Sequence, residues 1–90
     1  MTYYVLVVHD VNDYRKWRPV FDTHEESRLK SGLTNPRVFR NVERPEELVV
    51  SLQASNLRLA REFFSTEDLK NAMQTAGVAS APRISFLEEV

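Results

Sequence analysis

Placed about 100° apart on a helix, Tyr14, Trp17, Phe21, His24 and Arg28 fall in one narrow sector, spaced three, four, three and four residues apart. A purely apolar core needs no ionisable group, whereas a ligand cavity beside a core uses a few. A neutral imidazole at His24 can give or take a proton near neutral pH. Arg28, one turn further, carries a planar fork that can clamp a carboxylate or phenolate. Trp17 has an indole N–H that needs a partner when buried, and a ligand oxygen can supply it. His9 shares a strand face with Val5 and Val7, so if helices cover that face the two imidazoles approach one cavity. Aromatic walls from Tyr14 and Phe21 then suit a flat, partly oxygenated molecule. The candidate site is thus His24 as the acid–base group, with Trp17, Arg28, His9, Tyr14 and Phe21 binding the ligand. Each residue also has a plain structural use. His24 can bond a backbone carbonyl, Glu25 or Arg28; His9 can cap or lie at the surface; Arg28 can snorkel from a helix end, where a cation suits the dipole.

Other chemistries lack their residues. There is no cysteine, hence no disulfide or thiolate metal site, and the two histidines have no carboxylates at ligand spacing on one element, so no metal is expected. Both glycines, Gly32 and Gly77, fall where helices stop rather than in a phosphate loop. With 12 Lys+Arg against 13 Asp+Glu, the net charge of −1 is interspersed and gives no electrostatic reason to bind nucleic acid or an anionic membrane. No apolar run approaches the roughly 20 residues of a bilayer span, and the N-terminal run lacks the parts of a signal peptide, so a soluble cytoplasmic protein is expected.

The elements that must position these residues follow from periodicity. Tyr3–His9 (YYVLVVH) reads as a strand, apolar on both faces, as expected when both sides of a sheet are covered. Asn12 or Asp13 can cap a helix running to about Lys30, with Gly32 ending it. Pro19 inside it predicts a kink or loosened first turn, unless the helix proper begins near Arg18. Arg37–Val42 and Leu48–Ala54 form a hairpin around ERPEE, with Leu48, Val50, Leu52 and Ala54 on one face. A second helical region comes in two pieces: Leu57, Ala60 and Phe64 face inward with Phe63 flanking, and a capping box at Ser65–Asp68 (STED) restarts the helix until Gly77. The tail supplies a strand over Arg83–Leu87. The order βαββαβ is the split βαβ, ferredoxin-like α+β fold: one domain over residues 1–90, with two helices on one face of a four-stranded antiparallel sheet. The doubly apolar first strand leaves the other face to be covered, most economically by a second copy.

On this element order and on HDVNDYRKWRPVFDTHEESR, VFRNVERPEELVV, AREFFSTEDLKNAMQTAGV and RISFLEE, nearly the whole chain resembles the antibiotic-biosynthesis-monooxygenase-like group of dimeric α+β barrel proteins. The resemblance implies a homodimer whose two sheets close into a shared barrel, with a cavity between each sheet and its own helices. It also implies several possible activities. The first is a cofactor-independent monooxygenase acting on a phenolic or other aromatic compound, with His24 taking a proton and Arg28 or Trp17 steadying the developing negative oxygen. The others are a non-catalytic or stress-related ligand-binding dimer, and isomerase or lactone chemistry using the same base without O2. Haem-degrading relatives use a histidine on the second helix, whereas His9 and His24 lie in or before the first, so no cofactor is expected.

Overall fold

The computed structural model describes residues 2–90. Its elements are β1 (Tyr3–Asp10), α1 (Tyr14–Thr23), α2 (Glu25–Lys30), β2 (Leu33–Arg40), β3 (Glu47–Ala54), α3 (Leu57–Phe63), α4 (Glu67–Thr75) and β4 (Arg83–Glu88). The strands form one antiparallel sheet in the order β2-β3-β1-β4, the ferredoxin-like arrangement, with the second helical region in two pieces as expected and the first divided as well. Val7 at the centre of β1 pairs with Val50 on β3 and Ile84 on β4, which aligns the inward faces of three strands.

Alternation decides which face is covered. Val5, Val7 and His9 are buried together with Leu48, Val50, Leu52 and Ala54, so this is the face beneath the helices. Tyr4, Leu6 and Val8 lie on the other face and are only half-buried, beside Val49 and an exposed Phe39. The first paired strand of the hairpin is longer at its start than its composition suggests. It begins at Leu33 rather than Arg37 and ends at Arg40 rather than Val42, because a bulge between Thr34 and Arg37, with Asn35 at a φ of 51°, keeps the ladder going past Pro36.

The first helix starts where its cap predicts. Asp13 Oδ1 accepts the Arg15 N–H at 2.9 Å. It does not run unbroken to Lys30. The Thr23 hydroxyl donates to the Pro19 carbonyl at 2.8 Å, and the His24 N–H divides itself between the carbonyls of Val20 and Phe21. That competition interrupts the regular ladder and leaves His24 at a seam between α1 and α2. Pro19 therefore sits in the interior of α1, and the interruption falls at His24 rather than in the first turn.

The second helical region corrects two expectations. Thr66, not Ser65, is the N-cap of α4: its hydroxyl accepts the Leu69 N–H at 3.2 Å, which frees Asp68 from any capping duty. Phe63 is buried and Phe64 only partly so, the reverse of the expected order. Gly77 ends the region as expected. It has a φ of 77°, and the N–H groups of Val78 and Gly77 return to the carbonyls of Met73 and Gln74, the paired bonds of a Schellman stop.

Candidate functional site

Between the covered face of the sheet and the helices lies a cavity of about 70 Å³, partly open to solvent. The strands contribute Val7, His9, Val50 and Leu52 as its floor. The first helical region supplies Trp17, Val20, Phe21, His24 and Arg28, and the second closes the far side with Phe63, Phe64, Leu69, Ala72 and Met73. The walls are almost wholly apolar. Polar chemistry is confined to four side chains, all from the sequence stripe or the end of β1.

Trp17 and His9 form one unit. The indole Nε1–H donates to His9 Nε2 at 3.1 Å, both side chains being buried. Since Nε2 accepts, a neutral His9 must carry its proton on Nδ1. That nitrogen is buried without a hydrogen-bond partner. Burial pushes the His9 pKa down, against a smaller upward pull from Asp10, so the ring is held neutral. The indole donor expected to reach a ligand oxygen is thus spent inside the protein.

Arg28 is buried with 5% exposure. Its Nη1 donates to the Phe21 carbonyl at 2.7 Å, and its guanidinium carbon stands 3.8 Å from the centre of the Phe21 ring. It does not snorkel. Burial pushes its pKa down, while Glu25 and Asp22 pull it up, yet a guanidinium keeps its charge in any protein environment of ordinary pH.

His24 projects from the seam toward the second helical region. Its Nε2 lies 2.8 Å from Asp68 Oδ2, and its ring packs 5.8 Å from that of Phe63. An ionised carboxylate only accepts, so Nε2 is the donor of this pair. A carboxylate orienting an imidazole in this way is the arrangement that leaves the second nitrogen ready as a base. The partner is neither Glu25 nor Arg28 nor a carbonyl. It is a residue 44 positions away.

The structure therefore brings His24, Trp17, Arg28, His9 and Phe21 to one cavity and leaves Tyr14 outside its lining. Tyr14 stacks on Trp17, with ring centres 6.0 Å apart, and the guanidinium of Arg40 lies over the Tyr14 ring at 4.7 Å. Trp17 in turn stacks on Phe21 at 4.8 Å, so the three aromatic rings form a continuous pile whose inner members alone meet the cavity. Sequence reasoning missed Asp68, which it assigned to a cap, and Val20, which lies one residue before the stripe's Phe21. Among the described residues no group of three or more His, Cys, Asp or Glu side chains is placed to hold a metal ion. No helix is long and apolar enough to cross a membrane.

Solved structures named as antibiotic biosynthesis monooxygenases share this fold. One from Bordetella bronchiseptica, named a putative antibiotic biosynthesis monooxygenase, superposes with a TM-score of 0.80 over 99% of this chain and 97% of its own, at 12% identity. Another so named, from Caulobacter crescentus CB15, gives 0.74 at 18% identity over 99% and 90%. A monooxygenase from Streptomyces coelicolor, solved in complex with the ligand Nanaomycin D, gives 0.70 at 13% identity over 98% and 87%. No family model matches the sequence, and no curated protein matches it. The likeness is one of fold, and fold alone does not carry an activity.

Proposed function

We propose that this chain is a single-domain, homodimeric, cofactor-independent monooxygenase of a small hydroxylated aromatic compound. The observation that carries the reading is the His24–Asp68 pair, an oriented imidazole on the rim of an otherwise apolar cavity. In this reading His24 Nδ1 takes the hydroxyl proton of a bound phenol, making an electron-rich phenolate. The phenolate ring carbon gives its electron pair to O2 and forms a C–O bond. The O–O bond then breaks, one oxygen stays as a quinone carbonyl and the other leaves as water, so that phenol and O2 become quinone and water. Trp17 cannot steady the anion, because its N–H is given to His9. The field of Arg28 remains to favour negative charge in the cavity.

The second copy is proposed to lie on the open sheet face, over Tyr4, Leu6, Val8 and Val49, burying about 1,200–2,000 Å². Light scattering at micromolar concentration should give twice the chain mass, and a stable monomer would refute the dimer. Oxygen uptake dependent on an added hydroquinone, abolished in His24→Ala and strongly reduced in Asp68→Asn, tests the activity. One observation favours a non-catalytic ligand-binding module instead: most polar groups of the cavity are already engaged by the protein itself. Tight ligand binding without oxygen uptake would select that reading.

A further inference from the structure

We infer that the ligand of this cavity is an anion, an aromatic carboxylate whose carboxyl group pairs with Arg28, which rests on the cavity being a ligand site but goes beyond a neutral phenol as its occupant. Arg28 is a permanent cation, 95% removed from solvent, and it takes part in no ion pair among the described residues. Every other buried or half-buried charge is differently placed: Asp10 and Glu47, for instance, both pair with Arg44. Arg28 has instead one carbonyl oxygen, at Phe21, and the face of the Phe21 ring. Those two contacts fix the plane of the guanidinium without neutralising it.

Arg28 makes no other side-chain hydrogen bond among the described residues, and it is one of the residues that line the cavity. A guanidinium with two adjacent free donors recognises a planar carboxylate bidentately. The apolar walls of Val20, Val50, Leu52 and Phe63 require that the rest of the ligand be apolar, and the partly open cavity of about 70 Å³ leaves a single ring only partly enclosed. His24 stands four residues before Arg28, about one helical turn away, and both line the same cavity. A carboxylate on Arg28 therefore leaves a ring hydroxyl within reach of His24, and hydroxybenzoates are the simplest compounds with both groups.

Calorimetric titration of 3- and 4-hydroxybenzoate, and of the matching hydroxybenzamides, tests this. The acid and amide share size, ring and hydroxyl but differ in charge. At pH 7 at least one acid should bind the wild-type protein about tenfold or more tightly than its amide, since charge-assisted bonds are roughly twice as strong as neutral ones. Arg28→Met should bring that ratio near one, and Arg28→Lys should keep part of it. Arg28→Met should also melt near the wild type in the absence of ligand, because Arg28 takes part in no direct ion pair among the described residues. Binding of acid and amide within twofold of each other overturns the anion inference while leaving the aromatic-ligand reading intact. Binding of neither overturns both. An acid preference that survives in Arg28→Met, or in a folded Arg28→Gln should Arg28→Met not fold, overturns the assignment to Arg28.

Discussion

Stability in mild acid should depend on one buried imidazole. His9 is 4% exposed, accepts from Trp17 and has its pKa pushed down by burial. In the unfolded chain the same ring titrates near 6.5. Between that value and the lower folded one the unfolded state binds more protons, so stability rises with pH across that window. The contribution is complete above about pH 6.5 and is lost as pH falls below it toward the folded value. His9→Gln separates this effect from every other titration. Its amide oxygen can still accept from Trp17 Nε1 while the group itself never charges. Urea unfolding of both proteins at several pH values should show the wild type losing more stability than the variant as pH falls below about 6.5. Equal pH dependence in the two would mean that His9 is protonated as readily folded as unfolded, and the neutral Trp17–His9 unit would be refuted.

Replacing Trp17 by Phe should cost about 1–3 kcal/mol, because His9 Nε2 then loses its donor in a buried site, and the loss should shrink in a His9→Leu background. His24→Ala should change stability by less than about 1 kcal/mol, since Asp68 is largely exposed, while removing ligand-dependent turnover; a larger stability loss with normal binding would make the pair structural. Thr66→Ala should cost about 1 kcal/mol in chemical denaturation and Ser65→Ala much less, the order that the observed cap requires and a cap at Ser65 would reverse. Gly77→Val should lower the denaturation midpoint, by about 1–2 kcal/mol in free energy, because its φ of 77° is left-handed. An unchanged midpoint would mean that α4 stops without that geometry.

Local signals placed most elements. The run of β-branched and aromatic residues in β1, the acidic cap at Asp13, and the glycines after α2 and α4 each act within a few residues, and a chain pattern records such effects directly. The period of the stripe likewise brought Trp17, Phe21, His24 and Arg28 to one wall, because helical rotation sets the face within α1 and the short seam at His24 carries it into α2. Alternation could show that β1 has two apolar faces, yet choosing the face under the helices required knowing on which side the chain crosses over. The same limit applies to what each polar atom does. Ser65–Asp68 has the spacing of a capping box, but whether Ser65 or Thr66 caps depends on the turn between α3 and α4, and a shift of one residue releases Asp68 to meet His24. Trp17 needed a partner, which the stripe could state; that the partner is His9, and not a ligand, depends on how deep α1 packs over the end of β1. The cation at Arg28 was visible as a residue on an apolar stripe. Its burial without a counter-ion was not, because charge compensation depends on everything that packs around a group in space, and none of its neighbours' distances is written in the order of the chain.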